Sequence, residues 1–259
     1  MVEVDLAEDV RSAREMFPRG LAQPKGGYRF SMDALLLASY ARAPRAGRAV
    51  DLGAGCGVVG LGLLLRFPDK GLSVTAVDLD AAMVEACREN AARLGLGEAL
   101  EARRLAAAEA GRELPPQTFD LAAANPPYRA PGAGRICKEE SRVRARFEVD
   151  GDFAEFAGTA ARLLRQGGRF VLVHLSERLD AVMRTLSDVG VEPKRARFIH
   201  SRLQEPSKLV LLEGKKGARP GLRVEPPLVL YEGAGQATRL TEGALAFCSF
   251  LGCNLGKKN

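Results

Sequence analysis

Short, almost continuous apolar segments alternate along the chain with longer segments in which apolar residues recur every three or four positions. The apolar segments predict strands at residues 49–52, 72–77, 99–105, 119–124 and 169–174. The longer segments predict helices at residues 57–66, 81–94, 153–164 and 177–189. Continuous apolar strands are buried on both faces, and strands separated by helices pair in parallel. The sequence therefore predicts an α/β fold with a doubly wound, mostly parallel sheet.

Two more strands are predicted at residues 195–200 and 208–213. Too few residues separate them for a crossover helix, so they should form an antiparallel pair at an edge of the sheet. Further helices are predicted near both ends of the chain, at residues 6–16, 31–41 and 241–251. We therefore expect an N-terminal segment (1–44) that packs on a core domain (45–225), and a C-terminal extension (226–259).

A glycine-rich segment, Asp51-Leu52-Gly53-Ala54-Gly55-Cys56-Gly57, follows the first predicted strand. Glycine allows a sharp turn from strand to helix and lets the backbone approach a ligand where a Cβ atom would clash. Gly55, Gly57 and Gly60 also match the dinucleotide fingerprint, with Asp78 about twenty residues on, where a ribose-binding acid is expected. The segment predicts a nucleoside cofactor, and an NAD-dependent oxidoreductase is one interpretation of it.

A second motif, Asn125-Pro126-Pro127-Tyr128, ends the predicted strand at 119–124. The Asn125 side-chain oxygen and the Pro126 carbonyl can accept hydrogen bonds from both N–H bonds of a planar amino group. Such acceptors draw the nitrogen lone pair out of conjugation and hold it in place, and the two prolines stiffen the loop. Tyr128 can stack on a flat ring. These four residues are the candidate catalytic residues.

Together the two motifs resemble those of the class I S-adenosylmethionine-dependent methyltransferases that act on amino nitrogens. The acid two positions before the glycines and the Asn-Pro-Pro-Tyr loop both favour this family over a dehydrogenase. The resemblance implies a seven-stranded sheet whose last two strands are antiparallel, and S-adenosylmethionine as cofactor. It implies that Asp51 lies beside the methionine half of the cofactor and that the glycines surround its methionine and ribose. It also implies that Asp78 accepts hydrogen bonds from both ribose hydroxyls. The implied cofactor-binding residues are Asp51, Gly53, Ala54, Gly55, Gly57, Asp78, Leu79 and Asn125.

One feature of the family is missing. Its members usually carry an acid after the third strand that binds the adenine amino group of the cofactor. That place falls near Ala106–Ala108 in this chain, where no acid occurs, and Glu109 is displaced from it.

Among the branches that carry the Asn-Pro-Pro-Tyr loop, the chain is most similar to the tRNA adenine-N6 methyltransferases that modify position 37 of a valine tRNA. The similarity rests on the segments 28–38, 145–148 and 226–231. The ribosomal RNA guanine-N2 methyltransferases and the release-factor glutamine-N5 methyltransferases are the alternative branches. A non-enzymatic RNA-binding protein that keeps the fold is the alternative outside catalysis.

The charge distribution favours a polyanionic partner, for which RNA is the candidate. The net charge is +6, and residues 193–223 hold nine Lys and Arg against two acids. A second basic cluster follows the Asn-Pro-Pro-Tyr loop. We expect RNA contacts from Tyr128, Arg135, Lys138, Arg142, Arg146 and Arg195.

Other partners and compartments are less consistent with the composition. No run of eighteen apolar residues and no N-terminal signal pattern occurs, so we expect no membrane association. Two histidines, His174 and His200, are too few and too scattered for a zinc site, so no metal is expected. Five cysteines without a Cys-x-x-Cys pair favour a reduced, cytoplasmic location.

Overall fold

The structure is a computed structural model that describes residues 6–24, 29–126 and 153–254. Its central sheet has the strand order β3-β2-β1-β4-β5-β7-β6. The first five strands in this order are parallel, whereas β7 is antiparallel to both β5 and β6. The strands are β1 (Arg48–Leu52), β2 (Ser73–Asp78), β3 (Leu100–Arg104), β4 (Phe119–Ala124), β5 (Leu164–Leu175), β6 (Val191–His200) and β7 (Leu209–Lys216). This topology confirms the predicted doubly wound sheet and its antiparallel final pair.

The C-terminal part of the chain extends this sheet. Two short strands, β8 (Arg223–Val224) and β9 (Leu228–Val229), both pair in parallel with β6. They satisfy backbone groups that an edge strand would otherwise leave open. A separate two-stranded ribbon follows, formed by β10 (Tyr231–Glu232) and β11 (Arg239–Leu240). The sheet therefore has nine strands, two more than the resemblance implies.

Helices cover both faces of the sheet. The helices are α1 (Leu6–Met16), α2 (Met32–Tyr40), α3 (Val58–Arg66), α4 (Ala81–Arg93), α5 (Ala107–Glu113), α6 (153–163), α7 (Leu179–Asp188) and α8 (Glu242–Phe247). One apolar cluster joins α1–α4 and α8 to one face, and a second joins α5–α7 to the other. Helix α2 is buried from Ala34 to Tyr40, which explains why its sequence is apolar on every side.

Several predicted element boundaries are wrong, among them the start of β6, which lies at Val191 rather than at residue 195. Strand β5 begins at Leu164 rather than at residue 169, because its pairing with β4 continues through an irregularity between Leu164 and Arg169. Gly167 adopts a φ of +77° there, which glycine tolerates in a bulge. The helix predicted at 241–251 is interrupted at Cys248, whose φ of −135° and ψ of 91° are extended, and a 3-10 helix (Ser249–Asn254) follows.

The N-terminal and C-terminal segments meet on α2. The buried Cys248 thiol lies 3.6 Å from the Leu35 carbonyl oxygen. The rings of Phe17 and Phe250 pack edge to face, with their centroids 4.9 Å apart. Residues more than two hundred positions apart therefore share one apolar core.

Candidate active site

The two predicted motifs come together at the carboxyl edge of the sheet. Leu52, the last residue of β1, is paired with Ala124, the last residue of β4. Gly53 and Asn125 follow these residues and therefore lie side by side. The chain leaves β1 towards β2 on one side, whereas β4 lies on the other side of β1. Ligands of open α/β sheets bind at such a reversal of strand order.

The glycine loop forms an open cradle at this edge. Gly53, Gly55 and Gly57 have φ values of +69°, +54° and +89°, a region that other residues rarely adopt. The amides of Gly53 and Ala54 both donate to the Val77 carbonyl at 2.9 Å, which fastens the loop to β2. A Cβ atom on Gly55 would meet no described atom within 4 Å, so the space above this residue is open.

Gly57 is constrained differently. A Cβ atom there would lie 2.5 Å from the Cys87 sulfur. The Cys87 side chain therefore occupies the space that a larger residue at position 57 would need, and burial raises the pKa of the Cys87 thiol to about 12. The thiol is thus a neutral packing group.

Asp51 lies behind the loop rather than in the open space. Its carboxyl group is 1% exposed, and its Oδ2 accepts a hydrogen bond from the Gly60 amide at 2.9 Å. Its Oδ1 is buried without a hydrogen-bond partner among the described residues. Burial raises the pKa of Asp51 to about 7, and the nearby Asp78 charge adds to this rise, whereas the Gly60 amide opposes it. The resemblance implies that Asp51 lies beside the methionine half of the cofactor, and this role stays a prediction. In the structure its carboxyl group holds the first turns of α3 behind the glycine loop through the Gly60 amide.

Asp78 ends β2 and connects the loop to α4. Its Oδ2 accepts from the Gly55 amide at 2.8 Å, and its Oδ1 accepts from the Asp80 amide at 2.9 Å. Asp80 caps α4 through the Ala82 amide at 2.8 Å. Each oxygen of Asp78 retains capacity for another hydrogen bond. Leu79 beside it is 64% exposed, an unusual state for a large apolar side chain.

The far side of the site is formed by the segment that joins β3 to α5. The Leu105 amide donates to the Asp78 carbonyl at 3.0 Å, so this segment adjoins the end of β2. Glu109 Oε2 accepts a hydrogen bond from the Ala106 amide at 2.9 Å and so caps the N-terminus of its own helix. The Ala108 amide donates a hydrogen bond to the Glu155 carboxylate of α6 at 3.0 Å. Neither the motifs nor the apolar periodicity of the sequence indicated this contact.

Asn125 and Pro126 are the described part of the second motif. Asn125 is partly buried and Pro126 is buried. Pro127, Tyr128 and the predicted RNA contacts Arg135, Lys138, Arg142 and Arg146 lie outside the described residues.

The prediction that Arg195 contacts RNA is wrong. Arg195 is 8% exposed, and its guanidinium group binds Glu225 at 2.9 Å and Glu213 at 2.8 Å. The same group lies over the Tyr40 ring, 4.2 Å from its centroid. A buried arginine must be paired in this way, and its partners lie 18 and 30 residues away, beyond the reach of a local sequence pattern.

The basic run at 193–223 does not form one surface. Lys194 donates to the Arg219 carbonyl at 3.0 Å, and Lys216 donates to the Leu164 carbonyl at 2.7 Å. Lys216 lies at the edge of the sheet opposite the two motifs, because β7 runs antiparallel to β5. Arg202, which lies at the motif edge, binds the Gly233 carbonyl and the Thr238 hydroxyl. The charges are therefore divided between the two edges, and several of them hold backbone carbonyls.

Asn90 is a further site residue that the sequence did not indicate. It is fully buried in α4. Its Oδ1 accepts from the Ala22 amide at 2.7 Å, and its Nδ2 donates to the carbonyls of Ala22 and Cys56 at 3.1 and 3.0 Å. One side chain thus ties the N-terminal segment to the glycine loop.

Comparison with known proteins agrees with this geometry. A family model described as the methyltransferase small domain matches residues 31–189, more than half of the chain. The chain belongs to this family. It is an S-adenosylmethionine-dependent methyltransferase. The open cradle above Gly55 and the acceptor oxygens of Asp78 fit the nucleoside and methionine parts of that cofactor.

Relatives of this methyltransferase include two tRNA1(Val) (adenine(37)-N6)-methyltransferases. The protein from Phocaeicola vulgatus is 29% identical over 183 residues, which cover 71% of this chain and 75% of that protein. The protein from Haemophilus influenzae is 26% identical over 212 residues, which cover 80% and 85% of the two chains.

Solved structures share the fold of this methyltransferase. A predicted O-methyltransferase from Agrobacterium tumefaciens superposes with a TM-score of 0.66 at 22% identity, covering 85% of this chain and 96% of that chain. TrmN from Thermus thermophilus gives a TM-score of 0.56 at 24% identity, covering 80% and 53%. At these identities the likeness concerns the fold alone.

Two features are absent from the described residues. None of their helices is both long enough and apolar enough to cross a bilayer. Within the same part of the chain, no group of three His, Cys, Asp or Glu side chains is arranged to hold a metal ion.

Proposed function

We propose that this methyltransferase transfers a methyl group to an exocyclic amino nitrogen of RNA, and that the target is adenine N6 in a tRNA. The observation that carries the proposal is the position of Asn125 beside Gly53, set by the pairing of Leu52 with Ala124. The similarity to tRNA adenine-N6 methyltransferases over about three quarters of the chain supports the choice of nucleic acid.

The glycine loop and Asp78 hold the cofactor in this proposal. Gly55 leaves room for the backbone to contact the ligand. Each Asp78 carboxylate oxygen already accepts one hydrogen bond, from the Gly55 or the Asp80 amide, and can accept another from a ribose hydroxyl. The exposed Leu79 lies next to the ribose acid, where it supplies an apolar surface. When bound, S-adenosylmethionine supplies an activated methyl group.

Asn125 and Pro126 orient the amino group. The Asn125 side-chain oxygen and the Pro126 carbonyl oxygen accept hydrogen bonds from the two N–H groups of the amino group. The nitrogen lone pair then points at the methyl group instead of being delocalised into the ring. Because both residues directly follow a buried strand, their positions are held by the sheet. Tyr128 stacks on the base once the base has left its own stack, which favours an unpaired nucleotide in a loop.

Methyl transfer from labelled S-adenosylmethionine tests the proposal. Unmodified tRNA, ribosomal RNA and release factor serve as parallel acceptors, and the labelled product is identified after digestion. We expect N6-methyladenine in tRNA, and about a 100- to 1,000-fold lower rate for Asn125→Ala, because an acceptor aimed at the reacting group is lost.

Gln166→Ala is the matched control, since it removes an exposed amide at the opposite edge of the sheet. Its rate should equal that of the unchanged protein. Label in ribosomal guanine or in a glutamine of release factor would contradict the tRNA assignment and retain the chemistry. Cofactor binding without transfer to any acceptor would favour an RNA-binding protein.

A further inference from the structure

Helix α6 is held against α5 by one stripe of polar side chains. Glu155, Thr159 and Arg162 are spaced four and three residues apart, so they lie on the same face of the helix. Glu155 accepts from the Ala108 amide at 3.0 Å, and Thr159 donates to the Ala107 carbonyl at 3.0 Å. Arg162 donates to the Gly111 carbonyl. These contacts fix the position of α6 over the cofactor site.

Consecutive residues of α6 reach two different parts of that site. The Phe156 ring lies at the glycine loop, where a Cβ atom on Gly53 would be 3.2 Å from it. Glu155 lies at Ala108, three residues after Leu105, whose amide binds the Asp78 carbonyl. The Glu155 carboxylate therefore lies on the side of the site beyond the ribose acid, where the base of the nucleoside must extend.

Two carboxylates of the described residues, those of Glu109 and Glu155, adjoin that side, and each uses one oxygen to accept from a backbone amide. Residues 106–108 are alanines, and the Glu109 carboxylate is turned to the Ala106 amide of its own helix. Glu155 is exposed, and its Oε1 is held by the Ala108 amide. Its second oxygen forms no hydrogen bond or ion pair with a described residue, and an ionised carboxylate oxygen can only accept hydrogen bonds.

We propose that Glu155 accepts a hydrogen bond from the exocyclic amino group of the cofactor adenine. The Ala108 amide orients the carboxylate, and its second oxygen binds the amino group. The acid that selects adenine is thus supplied by the helix after β4 instead of the segment after β3. The proposal concerns the cofactor, so it stands or falls independently of the RNA assignment.

Calorimetric binding of two ligands tests this role without any acceptor RNA. One ligand is S-adenosylhomocysteine, and the other is its analogue with hydrogen in place of the 6-amino group. The unchanged protein should bind S-adenosylhomocysteine about 10- to 100-fold more tightly, as expected for a hydrogen bond to a charged group. Glu155→Ala should bind the two ligands within about threefold of each other, because the partner of the amino group is gone.

Thr159→Val is the matched control. It removes a neighbouring α5–α6 hydrogen bond from the same stripe, so a purely structural role would give it the same phenotype as Glu155→Ala. It should retain the full preference for the amino group. Equal binding of both ligands by the unchanged protein would overturn the proposal, as would a full preference in Glu155→Ala.

If Glu155→Ala does not fold, Glu155→Gln gives the answer. Its amide oxygen can still accept from Ala108 or from the ligand, but it carries no charge. The preference should then fall at least threefold, since charge-assisted hydrogen bonds are about twice as strong as neutral ones. An undiminished preference in Glu155→Gln would refute a direct contact.

Discussion

Asp51 should make the stability of the apo protein fall as the pH rises through neutrality. Its carboxyl group is buried behind the glycine loop, and burial raises its pKa from 3.8 to about 7. An acid whose pKa is higher in the folded state binds more protons folded than unfolded, so acidification favours folding. The contribution is fully present below pH 3.8 and is lost as the pH rises through 7.

The size of the effect follows from the shift. A pKa difference of 3.2, from 3.8 to about 7, corresponds to about 4 kcal/mol. About 2 kcal/mol of this is lost between pH 5.5 and 8.5, the range in which the folded protein releases the proton. With a urea m value of about 3 kcal/mol/M, the denaturation midpoint should fall by about 0.7 M across this range.

Urea denaturation of Asp51→Asn against the unchanged protein isolates this contribution. The amide keeps an acceptor for the Gly60 N–H but cannot titrate. The difference between the two midpoints should therefore change by about 0.7 M between pH 5.5 and 8.5, while titrations common to both proteins cancel. Asp180→Asn is the control, because the Ala181 amide and Arg184 lower the pKa of this exposed acid and it stays ionised throughout. A midpoint difference for Asp51→Asn that does not vary with pH would refute the reasoning.

Four further substitutions have defined outcomes. Gly57→Ala should lower the unfolding free energy by about 3 kcal/mol in thermal denaturation, because the strain of a left-handed backbone adds to a 2.5 Å clash with Cys87. Gly55→Ala is the control, because position 55 has the same backbone strain but open space, and it should lower the unfolding free energy by only about 1–2 kcal/mol. Equal losses in the two variants would contradict this reasoning. Arg195→Met should cost about 3–5 kcal/mol in urea denaturation, because it removes the buried ion-pair partner of Glu213 and one of the partners of Glu225, which keeps Arg197. The tRNA affinity of the folded protein should not change. Asn90→Leu should speed limited proteolysis before α2, because three hydrogen bonds to the segment and the loop are lost; an unchanged cleavage rate would show that other contacts hold the segment.

The sequence could predict those parts of the fold that depend on local pattern. Apolar periodicity located the parallel strands, and the short connection before β7 indicated the antiparallel pair. The glycine and Asn-Pro-Pro-Tyr motifs located the site because each follows a buried strand, and the ends of parallel strands meet at one edge. What the sequence could not predict depends on partners distant in the chain.

Arg195 illustrates the limit. A basic run indicates a surface, but Glu213 and Glu225 neutralise Arg195 inside the protein, and their positions follow only from the assembled sheet. Glu155 shows the same limit for the site. Its hydrogen bond to Ala108 joins residues 47 positions apart, and no periodicity relates a helix face to the end of another helix.

The meeting of both chain ends on α2 has a consequence for protein synthesis. The Leu35 carbonyl and the Phe17 ring receive their partners Cys248 and Phe250 only after more than two hundred further residues have been translated. Until then the nascent chain carries an apolar helix with part of its covering absent, and loops of this length close slowly. Such a chain exposes a binding site for chaperones during almost the whole of its translation.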